Sequence, residues 1–213
     1  MKISDTDIKL IKDFAISELL ASERKGIENL VDFMNSNDYF DAPASKGHHH
    51  NYENGLLIHS YDVHINFTVN LSKFGFDPSR INPAIVAYGH DICKHKQYQF
   101  QYGNIAYNNV ELDKGHGKYS VEILEKFIKL TYAEKAIIQF HMGDFYTSEL
   151  NTEHGEYPRK LLSATLGVHP ELLTFIYADV KSTGEVNREM QNHLNLLHAN
   201  TESTVEDFTF IGE

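Results

Sequence analysis

Residues 87–94 read AYGHDICK, and how this stretch is read decides what kind of fold surrounds it. An apolar run ends in adjacent His90 and Asp91, and Lys94 follows three residues after the aspartate. Burying an unpaired charge costs several kcal/mol, so a carboxylate at the end of an apolar run needs a partner. Two readings remain open at this point. Either His90 and Asp91 are a satisfied core pair, or a cation sits between them. Upstream, Pro83 suits the first turn of a helix, and Val86 and Ala87 lie four and three residues before His90 on its buried side.

Most other segments also carry a helical period. Residues 5–22 follow a Ser-Asp-Thr-Asp capping region and place Ile8, Ile11, Phe14 and Ala15 on one face. Further helices are expected over 26–37, from Leu56 to Phe74 with a stop at Gly75, and over 117–130, 132–142, 170–181 and 185–198. The exception is QYQFQYGNIAYNNVEL at 97–112, divided by Gly103-Asn104, which reads as a β-hairpin or an ordered loop. The polar stretch GDFYTSELNTEHGEYP at 143–158 reads as a loop. The fold class expected is therefore all-α, a helical bundle with one small β insertion. A single domain over 1–200 is expected, followed by a loosely ordered acidic tail at 201–213.

Bulk properties narrow the function. Thirty acidic against 19 basic residues leave a formal charge of −11, which argues against a general partner for long nucleic acid or an anionic membrane. It leaves room for a small anionic substrate held by a local cluster of metal and lysine. The single cysteine, Cys93, excludes an internal disulfide framework and fits a reducing compartment. The N-terminal MKISDTDIKLIKDF lacks the apolar core of a secretory signal, and no run approaches the roughly 18 apolar residues of a membrane span. A cytoplasmic location is the expectation. Histidine is the outlier, with 13 copies that include an internal run at His48, His49 and His50.

Several of these histidines face inward. His59 extends the stripe of Val63, Phe67 and Leu71, and His116 heads a row with Ser120, Ile123 and Phe127. His141 stands four and three residues after Ile137 and Ile138, and Asp179 stands likewise after Phe175 and Ile176. One inward histidine is ordinarily a core residue with a hydrogen bond, and one buried aspartate a cap or half an ion pair. Four histidines and two aspartates on five segments would each need a private partner, whereas one or two shared cations would satisfy all six. Helical bundles build metal sites from facing side chains in this way.

The order His59, His90-Asp91, His116, His141, Asp179 resembles the HD-domain metal-dependent phosphohydrolases. The surrounding words ENGLLIHSYDV, AYGHDICKHKQY, KGHGKYSVEIL, IIQFHMGDF and FIYADVKST resemble the family's successive motifs, in order, over residues 40–183. PASKGHHHNYENGLLIHS is further similar to a subgroup of HD-type 3′–5′ exoribonucleases and small phage HD hydrolases. Asn54 and Ile58 depart from the family's glycine and glutamate at positions that are not ligands. The resemblance implies a helical bundle with His59, His90, Asp91 and Asp179 around one metal ion. Asp91 would bridge to a second ion held by His116 and His141.

Mixed imidazole and carboxylate ligands suit Mn, Fe, Co, Ni or Zn better than Mg. Such ions lower the pKa of water and clamp entering and leaving oxygens. Asp91 and Lys94 are the expected catalytic pair. Lys94 reads either as a phosphate-contacting charge or as a helix-end lysine, and the resemblance favours the first. His49, Lys96 and Asp144 are further substrate-contact candidates, each with a surface or capping alternative. Cys93 reads as a packing residue. The leading expectation is hydrolysis of a phosphate ester or anhydride of a nucleotide or similar small molecule. A phosphodiesterase for short oligonucleotides or cyclic nucleotides is the second, and a non-catalytic metal- or nucleotide-binding module the third.

Overall fold

The computed structural model describes residues 3–108, 115–143, 156–184 and 187–209. It is mostly helical, with one two-stranded antiparallel sheet. Helix α1 (Asp5–Leu20) opens in a capping box: Ser4 Oγ accepts from the Asp7 N–H while the Asp7 carboxylate accepts from the Ser4 N–H. Helix α2 (Ile27–Ser36) buries Leu30, Val31 and Met34. Helix α3 (Gly55–Phe74) is the axis of the bundle and packs against α1, α4 (Pro83–Gly89), α9 (Glu171–Lys181) and α10 (Arg188–Thr209). Every residue of α3 from Gly55 to Phe67 is buried, so the polar side chains in that span must find partners inside the protein. Gly75 ends α3 in the left-handed conformation, its N–H donating to the carbonyls of Leu71 and Ser72.

The short α5 (Lys94–Gln97) leads into a hairpin of β1 (Tyr98–Gln101) and β2 (Asn104–Tyr107), paired from Tyr98–Tyr107 to Gln101–Asn104. Its two connecting residues, Tyr102 and Gly103, both have positive φ, the geometry of the tight turn whose twist matches the strands. The hairpin is therefore shorter than 97–112, whose last four residues lie outside those described. Helices α6 (His116–Leu124), α7 (Tyr132–Phe140) and α8 (Glu156–Val168) complete the set.

Three elements differ from the sequence reading. Helix α6 stops six residues before 130, because the chain turns after Leu124 to carry Ile128 and Leu130 into the core. Helix α8 begins at Glu156, inside the stretch read as a loop. Pro158 falls in its first turn, where a missing N–H breaks no helical bond. Helix α10 runs to Thr209, well into the tail expected to be loose. No single helix among the described residues is long and apolar enough to cross a membrane.

One ionic staple holds the distant parts together. The wholly buried Glu134 accepts both Nη atoms of Arg24, at 2.9 and 2.8 Å, and the backbone N–H groups of Asn82 and Thr131 at 3.0 and 2.7 Å. It thereby joins the α1–α2 turn, the start of α4 and the capping box of α7. Removing one partner of such a pair strands a buried charge. Arg24→Met should cost about 3 kcal/mol, read as a lower midpoint with unchanged slope in urea unfolding; a loss below about 0.5 kcal/mol, the level of an ordinary surface change, would show that the staple is not structural.

Candidate metal centre

Helix termini and the turns next to them deliver the inward-facing residues to one place. His59 comes from the second turn of α3. His90 caps the C-terminus of α4, and a tight turn follows, with the Ile92 N–H donating to Gly89 and the Lys94 N–H to Asp91. This turn aims His90 and Asp91 in the same direction, which two residues in a continuous helix could not achieve. His116 opens α6, His141 caps the C-terminus of α7, and Asp179 lies in the last turns of α9. Helices α6 and α7 meet closely because residue 117 is glycine: a Cβ there would lie 2.6 Å from the carbonyl oxygens of Ile138 and Gln139. His116 and His141 face each other across that contact, ring centroids 5.2 Å apart.

The nitrogens are aligned by their own helices. His90 and His141 both direct Nδ1 at the carbonyl three residues earlier, Ala87 and Ile138, at 2.7 Å. A carbonyl only accepts, so Nδ1 carries the proton and the Nε2 lone pair points inward. Such an outer hydrogen bond is the usual support of a metal-ligating imidazole. His59 makes a longer Nδ1 contact, 3.4 Å, to the Ser182 carbonyl.

Asp91 stands at the centre and faces two groups with its two oxygens. Oδ2 lies 3.1 Å from His90 Nε2 and 3.8 Å from His59 Nε2, while Asp179 Oδ1 lies 3.1 and 3.8 Å from His59 and His90 Nε2 respectively. Oδ1 lies 3.6 Å from His141 Nε2 and 3.8 Å from His116 Nε2. Yet Nε2 of His59, His90 and His141 and Oδ1 of Asp91 are buried without an aligned hydrogen bond among the described residues. Converging lone pairs with no donor are what a cation would complete. The ligand atoms of His59, His90 and Asp91 lie within 4.8 Å of one another, as do those of Asp91, His116 and His141 and those of His90, His141 and Asp179. These buried groups fit a metal ion by chemistry and by spacing.

Lys94 supplies the positive charge in this arrangement. Its Nζ lies 2.7 Å from Asp91 Oδ2. Burial would raise the pKa of Asp91, but the Lys94 ammonium beside it holds it well below the usual carboxylate range. Burial likewise opposes the charge on Lys94, and Asp91 more than restores it, so the ammonium titrates above its ordinary value. Desolvation depresses the pKa of His90, which favours the neutral ligand form.

A cleft of about 300 Å³ opens onto the centre, lined by His49, His59, Asp91, Lys94, His141, Met142, Gly143, Ile176, Asp179, Val180 and Thr183. All six histidine and aspartate ligand candidates, with Lys94 and His49, therefore converge. Lys96 is exposed and does not line the cleft, and Asp144 lies outside the described residues. His95 turns away, its ring edge-on to Phe33. Cys93 is buried and its thiol pushed up to about 12, first by desolvation, in keeping with a packing role. Sequence reasoning overlooked His50, whose ring lies 5.5 Å from that of His59, and Thr183. The histidine run was the available signal for His50; nothing marks Thr183. Asn54 adopts φ 64°, a left-handed conformation that asparagine tolerates better than most residues.

No family model, no curated protein and no solved structure matches this chain.

Titrating Mn²⁺ into metal-free protein to a hundredfold excess over Kd should add about 2.7 kcal/mol of stability. That is a rise of about 5–10 °C in Tm by calorimetry. Asp91→Asn should erase the shift. A wild-type Tm indifferent to metal would remove metal from the account.

Proposed function

We propose that this chain is a metal-dependent phosphohydrolase of the HD type, acting on a phosphate ester or anhydride of a nucleotide or related small molecule. One observation carries the reading: a single buried carboxylate, Asp91, presents one oxygen to a His59–His90–Asp179 group and the other to a His116–His141 pair. The ordered motifs over residues 40–183 support it independently. Divalent transition-metal ions, when bound, supply Lewis acidity and bring the pKa of water toward neutrality.

The chain's own residues account for the rest. In hydrolysis the water oxygen bonds to phosphorus, the bond to the leaving oxygen breaks, and that oxygen takes a proton. Lys94 sits at the cleft with its ammonium on Asp91 Oδ2, an oxygen that a cation would occupy. With that oxygen engaged by a cation, the Lys94 ammonium would be free to contact a non-bridging phosphate oxygen as a point charge. His49 offers a ring nitrogen to the same substrate group from the facing loop. Ile176, Val180 and Met142 form an apolar wall that limits water around the reacting phosphorus.

A second reading, cleavage of a phosphodiester in a short oligonucleotide or cyclic nucleotide, draws on the surface beyond that wall. Ile176 and Val180 also line a groove of about 750 Å³ between α3 and α9, where Phe74, Leu173 and Tyr177 are exposed. A substrate with flat apolar parts on both sides of the phosphorus would use it.

A panel of nucleoside mono- and triphosphates, cyclic nucleotides and oligomers up to tetramers, assayed with Mn²⁺ and read by mass, separates the readings. Turnover confined to mono- or triphosphates supports the first, and cleavage of oligomers or cyclic species the second. Asp91→Ala should reduce either to background. Metal binding with no turnover would leave a non-catalytic binder. Lys94→Gln should retain metal but lower kcat/KM by roughly 10- to 100-fold, the worth of one charged hydrogen bond; unchanged kcat/KM would return Lys94 to a structural role.

A further inference from the structure

His49 and His50 are held against His59 by a loop that has been fixed at many points. The Ala44 N–H donates to the His50 carbonyl at 3.0 Å, Ser45 Oγ donates to the His49 carbonyl at 2.7 Å, and the His48 N–H donates to Ser45 Oγ at 3.1 Å. At the far end, the N–H groups of Asn54 and Leu56 donate to Asp41 and Ala42. His50 itself has φ 49°, a left-handed conformation that is uncommon outside glycine, asparagine, aspartate and histidine. Its carbonyl lies so close to Gly55 that a Cβ there would stand 2.0 Å away. Backbone held this tightly positions the two rings.

The rings form a triangle with His59, the centroids 5.0, 5.5 and 5.7 Å apart. Nδ1 of His49 and Nδ1 of His50 are both buried with no hydrogen-bond partner among the described residues. One ring nitrogen from each of the three lies within 4.8 Å of the other two. Nitrogens about 2.0–2.1 Å from a tetrahedral ion are about 3.4 Å apart, so the three need approach by no more than about 1.4 Å.

We propose that His49, His50 and His59 form an accessory, all-imidazole metal position at the mouth of the cleft, one that takes Zn²⁺, Ni²⁺ or Cu²⁺ and leaves Mn²⁺ and Mg²⁺ unbound. Three imidazoles with an open fourth position are an established zinc donor set. They lack the carboxylate oxygens that hard cations require. His59 belongs also to the central group through Nε2, so ligation through Nδ1, 3.4 Å from the Ser182 carbonyl, would release that ring's remaining proton and make it a bridging imidazolate. An ion at the accessory position therefore shares His59 with the centre. The identity of the metal then sets the number of ions bound.

The proposal rests on the metal-dependent reading of the centre, and the test separates the two. Metal content per chain is measured after equilibrium dialysis against Zn²⁺ and, separately, Mn²⁺, with Co²⁺ absorption as an independent spectroscopic count of tetrahedral nitrogen sites. Wild type should hold one more Zn²⁺ than Mn²⁺. The double variant His49→Gln, His50→Asn should hold equal numbers and lose the corresponding Co²⁺ band. Asparagine tolerates the left-handed backbone of residue 50, and each single variant provides a second route should the double fail to fold. His48→Gln, in the exposed neighbour, should leave the count unchanged. Equal, non-zero Zn²⁺ content in wild type and the double variant, or loss of the extra ion on His48→Gln, would overturn the accessory position alone. No metal bound by any form would overturn the central reading as well.

Discussion

The architecture depends on keeping the Asp91 carboxylate ionised in the interior of a helical bundle. An isolated charge there would neutralise or unfold its surroundings. The protein instead surrounds it with Lys94 and the imidazoles of His59, His90, His116 and His141. That requirement explains why α4 ends at Gly89, where the apolar run gives way to His90 and Asp91, and why α5 starts only after a turn. Both breaks turn polar side chains inward that a straight helix would have distributed around its circumference.

Helix termini recur as the positioning device. His90 and His141 each cap a C-terminus and each anchor Nδ1 on the carbonyl three residues back. Carbonyls at a helix C-terminus have no helical partner, so the same contact satisfies an orphan acceptor and sets the ring tautomer. Similar reasoning applies behind His59. There the neighbouring Asp62 accepts from Asn66 at 2.8 Å and from Asn187 at 2.6 and 2.7 Å, locking the start of α10 to α3. Ligand placement and helix packing are thus maintained by the same hydrogen bonds.

Much of this was legible from the chain because helical periodicity converts sequence position into direction. Val63, Phe67 and Leu71 mark a buried face, and His59 shares it; the same logic placed His90, His116, His141 and Asp179. What periodicity does not carry is loop geometry. Lys96 sits two residues after Lys94, yet the short α5 turns it outward. His50 lies in a segment with no period at all, and only the left-handed backbone and the close approach to Gly55 bring it to His59. Helix α8 is not among the expected elements: the polar stretch up to Pro158 reads as a loop, and no helix is expected over 159–168.

The Arg24–Glu134 pair spans 110 positions of sequence, and the Asp62–Asn187 tie spans 125. Helical bundles that fold in microseconds to milliseconds do so because their contacts are mostly local. Here the ligands of the central group run from His59 to Asp179, so no half of the chain can assemble it alone. During synthesis the first helices would wait, with α3 lacking its later neighbours, until α9 emerges from the ribosome. A topology that disperses one site over most of the chain makes its completion among the last events in folding.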